Sequence, residues 1–221
     1  MQRLRLRFGR GEEVKFTSHL DIIRSWERAF RRARIPVVYT QGHTPHPRIV
    51  VAAPLAVGVT SEAELMDVYL SRRMPPQALM MMARRQLPAG FDVLDVWEVG
   101  LTTPSLQSRL VYADYASRAG PAKSEQWVKD AVSSLLQVKE LPWHHSRGSE
   151  VHYYDLRALI LDLWLVGWYG RLCTLGMRLR CGAGGSGRPE QVVLAMGFSE
   201  YPQSIHRTRL ILEGELDTSA Q

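Results

Sequence analysis

The apolar period of this chain changes several times within its first hundred residues, and the order of those changes constrains the fold more than any other feature. Leu4, Leu6 and Phe8 alternate with Arg3, Arg5 and Arg7, the period of a strand with one buried and one wet face. Leu20, Ile23, Trp26, Phe30 and Ala33 then recur at helical spacing. Ser18, three residues before Asp21, supplies a capping-box-like start, and the helix is expected to reach about Arg34 before Pro36 stops it. A second strand begins at residues 37–39, a turn-rich segment covers 41–47, and 48–53 is again extended. Residues 64–70 alternate as a third main strand. Pro75-Pro76 opens a helix over 77–86, Pro88-Ala89-Gly90 ends it, and Phe91 to Val99 alternates once more. The order β-α-β-β-α-β is the split-βαβ or ferredoxin-like arrangement, in which two helices cover one face of a four-stranded antiparallel sheet.

The second half is expected to repeat that order: a strand at 110–117, a helix at 124–137 capped by Ser124, and long strands at 152–166 and 171–181 joined by a turn near 167–170. A short helix at 189–196 and a last strand at 204–212 follow. Since 221 residues suffice for two small cores, the expectation is an α+β chain of two tandem ferredoxin-like domains, residues 1–100 and 109–221, with antiparallel sheets.

Composition narrows the class. A hydrophobic share of 45% with a net charge of +6 excludes a disordered or collagen-like chain, and two cysteines exclude a disulfide-stapled one. Cys173 and Cys181 are also too few for an iron–sulfur cluster or a thiolate zinc site, so no cofactor and no metal is expected. The first residues alternate and lack the apolar run of a signal peptide. The longest mainly apolar stretch, 156–169, is interrupted by charge and falls short of the ~20 residues that span a bilayer, so a cytoplasmic protein is expected. The basic excess is local. Residues 1–100 carry 15 Lys/Arg against 10 Asp/Glu, and residues 101–221 carry 13 against 12. A basic segment of this kind suits a polyanionic partner, although charge for solubility is the commoner cause.

Three groups of residues carry chemistry. Arg24, Arg28 and Arg31 lie i, i+4, i+7 along the first helix, extended by Arg32 and Arg34, and guanidinium groups so spaced can grip successive phosphates. Arg3, Arg5, Arg7 and Arg48 enlarge that basic field; the alternative is a solvated face with Glu27 pairing to Arg28 or Arg31. The segment Gln41-Gly42-His43-Thr44-Pro45-His46-Pro47-Arg48 displays Gln41, His43, His46 and Arg48 on a backbone stiffened by two prolines, as a binding loop requires and as a structural turn also allows. Gly182-Ala183-Gly184-Gly185-Ser186-Gly187 satisfies G-x-G-x-x-G by letter, but the helix after it is short and its surroundings antiparallel, which excludes a nucleotide fold of the parallel type. The loop's N–H groups with Arg188 remain able to hold a phosphate of a larger polyanion, or to serve as a plain connection. His19 and His46 are the candidate general bases, His19 doubling as a half-buried structural residue. His144, His145 and His152, with a turn at Gly148, are a weak metal signal.

The residues Ser18-His19-Leu20-Asp21, Arg24, Glu27-Arg28-Ala29, Arg31-Arg32-Ala33, Ile35-Pro36, Tyr39, Gln41-Gly42, Pro45-His46-Pro47-Arg48 and Pro54-Leu55, with Gly58, Ser61 and Glu64, form a pattern that resembles the radical-SAM-linked family. Its members are encoded beside or fused behind a radical S-adenosylmethionine protein, often near genes of ribosome and RNA metabolism. The likeness is dense over residues 3–70 and thin afterwards. At 43 and 44, where relatives have Phe and Asn, this chain has His43 and Thr44. The layout is also similar to the CRISPR-repeat-processing RAMP endoribonucleases, with tandem ferredoxin-like domains and a late glycine-rich loop. The resemblance implies a separate radical SAM protein as partner, because the two cysteines here cannot supply the three thiolates of its cluster.

Three functions are thereby open: a non-catalytic RNA-binding or substrate-presenting accessory of a radical SAM enzyme, a metal-independent endoribonuclease using His19 or His46, and a protein-binding adaptor. The first is expected, with RNA contacts from Arg24, Arg28, Arg31, Gln41, His43, His46, Arg48 and Arg188.

Overall fold

Antiparallel pairing organises the computed structural model, which describes residues 1–147 and 150–215 of a mixed α+β chain. The chain divides into two units, Met1–Leu110 and Val111–Gln221.

In the first unit β1 (Gln2–Arg10) is followed by a 3-10 turn and by α1 (His19–Arg32). The short β2 (Ile49–Val51), β3 (Thr60–Leu70), α2 (Pro76–Arg84), β4 (Phe91–Val99) and the single-turn α3 (Leu106–Arg109) complete it. Within the unit the strands run in the order β4-β1-β3-β2, each antiparallel to its neighbour. Leu4, Leu6 and Phe8 face the core with Met66, Val68 and Leu70, closed by Ile22, Trp26 and Phe30 of α1 and by Leu79 and Ala83 of α2. Trp26 is the centre of this core, its ring meeting Phe8, Phe30 and Phe91 at centroid distances of 4.9, 5.4 and 6.0 Å. Burying rings of this size is worth about 1.5–3 kcal/mol each.

Four local expectations change. Leu20 is 66% exposed, because the phase of α1 is set by the larger Trp26 and Phe30, which bring Ile22 and Ala29 inward instead. The helix ends at Arg32: Ile35 N–H donates to Phe30 O and Arg34 N–H to Arg31 O, with Arg34 itself left-handed at φ 53°. That is a Schellman stop with arginine where glycine is usual. Residues 37–39 form bridges of Val37 to Leu70 and Tyr39 to Pro47 and no regular strand, since Pro36 and Pro47 lack the N–H groups a ladder needs. The largest change is in β1, whose second face is not wet: Arg3 and Arg5 are buried and only Arg7 of the three is exposed.

The second unit holds β5 (Leu110–Ala119), α4 (Glu125–Gln137), the hairpin β6 (Pro142–Arg147) and β7 (Glu150–Asp155), β8 (Ile160–Tyr169), β9 (Leu172–Gly182), β10 (Gly185–Ser186), α5 (Pro189–Ala195) and β11 (Ser204–Leu212). β8, β9, β5 and β11 are neighbours in that order, and β10 folds back on the end of β9. Ser124 caps α4 by accepting from Trp127 N, and Trp127 stacks edge-on to Phe198 at 5.1 Å. The single strand expected at 152–166 is two. Asp155 Oδ1 accepts from both Leu141 N and Arg157 N, at 2.8 and 2.9 Å, which turns the chain out of β7 and into a 3-10 turn before β8. On β8 the indole of Trp164 lies across the backbone of Gly176, where a Cβ would sit 2.1 Å from it, so glycine is required by close approach.

Candidate nucleic-acid interface

The two arginine sets of the first unit have opposite environments. Arg3 Nε donates to Asp67 Oδ2 at 2.9 Å, and Arg5 Nε and Nη2 donate to Asp67 Oδ1 and Oδ2 at 2.8 and 3.1 Å. The surplus positive charge is met by carbonyl oxygens: Arg3 Nη1 donates to Thr103 O at 2.5 Å and Nη2 to Pro104 O at 3.1 Å. These side chains are at most 4% exposed, so Arg3 and Arg5 cannot enlarge an external basic field, contrary to the expectation from the alternating pattern.

On α1 the arginines point outward. Arg24 pairs with Asp21 at 3.0 Å, with both side chains more than half exposed. Arg28 Nη2 donates to Ser25 Oγ at 3.3 Å, and Arg31 is exposed in the last turn. These contacts replace the pairing with Glu27 considered from sequence. The Ser18 hydroxyl, and after it Arg24, hold the Asp21 carboxyl below its ordinary pKa, so the cap is charged when the Ser18 Oγ receives Asp21 N–H. Arg32 is used structurally, its Nε donating to Gln86 Oε1 at 3.2 Å beyond the end of α2.

The 41–48 segment projects from a closed base. Thr40 N–H donates to His46 O at 2.9 Å, His46 N–H to Thr40 Oγ1 at 3.0 Å, and Arg48 N–H to Val38 O at 2.7 Å. Beyond that base Gln41, His43 and His46 are exposed, and Gly42 adopts φ 140° with nothing near its Cβ position. Arg48 lies at the base, its guanidinium carbon 3.8 Å from the centroid of Tyr69, so it props the loop while keeping its exposed edge. His19 opens α1 half-buried; burial and then the Arg10 charge hold its imidazole below its ordinary pKa, with Glu64 acting the other way. It is neutral near pH 7 and able to accept a proton.

In the second unit Gly182–Gly187 forms the tight β9–β10 turn, with Gly182 and Gly185 at φ 143° and 110°. Arg188 follows, exposed, ahead of a helix of only seven residues. Tyr154 OH donates to Gln191 Oε1 at 2.5 Å, and burial pushes that phenol up while Arg188 draws it down. Of the weak histidine signal, Gly148 and the side chain of His145 lie outside the described residues. Among the described residues no three or more His, Cys, Asp or Glu side chains are grouped to hold a metal, and Cys173 and Cys181 are buried and form no disulfide. No helix among them is long and apolar enough to cross a membrane.

A family profile described as "Uncharacterized protein conserved in bacteria (DUF2344)" matches residues 3–189. The chain belongs to this family. The matched span contains β1, α1, the 41–48 loop and Arg188, and ends at Pro189. No curated protein matches. Among solved structures, one titled as a crystal structure of a Cbf5-Nop10-Gar1 complex aligns with a TM-score of 0.51 and 10% identity, over 94% of this chain and 48% of that one. A structure of an H/ACA RNP bound to a substrate RNA containing 2'-deoxyuridine aligns at 0.49 and 9%, over 94% and 47%. One of an archaeal box H/ACA sRNP Nop10-Cbf5 complex aligns at 0.47 and 8%, again over 94% and 47%. The chain spans about half the length of these solved chains, and at this identity the first match is a likeness of fold.

Asp67 and the Tyr154–Gln191 pair were missed in the sequence. Asp67 had a signal: it is the one carboxylate inside Leu65-Met66-Asp67-Val68-Tyr69-Leu70, where an ionised group demands a buried partner. Tyr154 and Gln191 had none, being 37 residues apart and ordinary in their surroundings.

Proposed function

We propose that the chain is a non-catalytic RNA-binding or substrate-presenting accessory protein that works beside a separate radical SAM enzyme in RNA or ribosome metabolism. One observation carries the RNA part: α1 buries Ile22, Trp26, Ala29 and Phe30 and turns Arg24, Arg28 and Arg31 to solvent as a stripe spaced for a polyphosphate chain. The exposed 41–48 loop of the same unit supplies Gln41, His43 and His46, with Arg48 at its base, as groups able to contact bases or a partner protein. The radical SAM partner is supported by the sequence pattern from Ser18 to Glu64. The reading of both units as ferredoxin-like domains is supported by their element orders and by the neighbour orders β4-β1-β3-β2 and β8-β9-β5-β11.

The decisive experiment is salt-dependent binding of single-stranded RNA by the purified chain, with the same RNA incubated in EDTA. Binding that weakens with salt and leaves the RNA intact is the expected result. Cleavage in EDTA, lost in His19→Ala or His46→Ala, would instead make the chain a metal-independent endoribonuclease. Absence of RNA binding at low salt would leave the adaptor reading.

A further inference from the structure

A surface groove of about 510 Å³ in the second unit lies where the glycine turn, β7 and the start of α5 converge. His152, Tyr153, Tyr154, Ser186, Arg188 and Gln191 line it. We infer that this groove is a nucleotide subsite for single-stranded RNA, taking one base against Tyr153 and the neighbouring phosphate on Arg188. The inference rests on the RNA-binding reading above and adds to it the place where a base is held.

Three groups in the groove each match one part of a nucleotide. Gln191 is only 8% exposed and lines the groove; one polar atom of its amide is satisfied by Tyr154 OH, and the other has no partner among the described residues. An amide held in place by one hydrogen bond, with its other polar atom at a solvent-open groove, is suited to the edge of a base. Tyr153 is 80% exposed and offers a ring to a base, as stacking platforms for single strands do. Arg188 is the one lysine or arginine among the described residues of the lining, and its charge reaches the Tyr154 phenol.

The sparse, spread charge of the groove also decides between a strand and a free nucleotide. A di- or triphosphate concentrates charge that needs several cations or a cradle of N–H groups at the start of a long helix. Here Arg188 lies on the described lining and the Arg180 guanidinium abuts its Gly184 edge, while the helix has only seven residues and offers no N-terminal cradle. One phosphate at a time, as a strand presents them, fits that charge. The groove is open to solvent and its volume exceeds a single base, so the strand can enter and leave along the surface.

The test measures affinity of a short oligoribonucleotide for the full chain by fluorescence anisotropy, across a salt series. Tyr153→Ala should weaken binding by roughly 5- to 100-fold, and Tyr153→Phe should retain it, since stacking needs the ring and not the hydroxyl. Arg188→Gln should lower the salt slope by roughly 0.7, one phosphate contact on a single strand. An abasic oligomer should lose nothing further on Tyr153→Ala. Both side chains are exposed, so the variants should melt with the unaltered chain, which a thermal scan checks. RNA binding that depends on Arg24, Arg28 and Arg31 but is unchanged in Tyr153→Ala and Arg188→Gln would overturn the groove and leave the α1 interface standing. Failure of the unaltered chain to bind RNA would overturn both. A nucleoside monophosphate that displaces the oligomer at equal concentration would overturn the assignment to a strand.

Discussion

Arg3, Arg5 and Arg7 on β1 and Arg24, Arg28 and Arg31 on α1 are both regular arginine triplets, yet two members of the first are buried and the whole of the second is exposed. The difference comes from a partner. Asp67 stands opposite Arg5 in the β1–β3 register and two residues from Tyr69, the partner of Arg3, on the same face, so a single carboxylate takes four guanidinium hydrogen bonds. On α1 Asp21 reaches only Arg24, in water, where a pair is worth about 0.2–1 kcal/mol and leaves the cation available. A cationic pattern thus stays in solvent where no buried carboxylate stands opposite it, and is drawn inward where one does.

The strongest way to break the comparison is Asp67→Asn. Removing the charge leaves two buried guanidinium groups uncompensated and should cost about 3–5 kcal/mol in denaturant unfolding. A loss within 0.5 kcal/mol, by the standard of ordinary surface changes, would show that the β1 arginines find water and belong with those of α1. The opposite substitution, Arg24→Ala with Arg28→Ala and Arg31→Ala, should leave the unfolding midpoint nearly unchanged while lowering the salt slope of RNA binding by roughly 2, about 0.7 for each phosphate contact. Unaltered affinity at matched salt would mark the stripe as a solvated face.

Arg48 falls between the two sets and sharpens the contrast. Its contact with Tyr69 at 3.8 Å should make Arg48→Ala cost about 0.5–2 kcal/mol in addition to any loss of affinity. His46→Ala should affect binding alone, because its hydrogen bonds at the loop base are made by its backbone. Equal melting temperatures for the two variants would remove Arg48 from any structural role.

The smallest effect is a pH dependence. His19 has its pKa lowered by burial and by Arg10, so on acidification the unfolded chain takes up the proton first. Its contribution to stability is whole above the unfolded value near 6.5 and is lost as pH falls through the folded one. Between about pH 7.5 and about pH 5 the unaltered chain should therefore lose slightly more melting temperature than His19→Gln. Parallel curves would mean that burial and Arg10 do not hold the His19 imidazole below its ordinary value.

Much of the layout was legible in the sequence, since β4 and β11 begin and end where their alternation does and Ser18 and Ser124 cap the helices as their spacing indicates. What failed did so for identifiable reasons. Periodicity reports which residues share a face and is silent on what covers that face, so β1 read as half wet although Arg3, paired to Asp67, is also covered by the carbonyl oxygens of Thr103 and Pro104, about a hundred residues away. The break after β7 depends on one carboxylate catching Leu141 and Arg157, a choice made only when β6 lies alongside. The α1 stripe and the 41–48 loop were visible because each is a local pattern; the groove was not, because Tyr153 and Arg188 come from separate elements.

The sequence by itself determined most of the long strands and helices, the Ser18 and Ser124 caps, and the list of cationic and aromatic side chains, which follow from patterns within a few residues. Only the tertiary structure decided which arginines are neutralised, which aromatic rings remain in solvent, and which amide is left half satisfied. Those outcomes depend on desolvation and on partners tens of residues away, and a charge or a ring acquires its chemical role only when the fold has set what stands beside it.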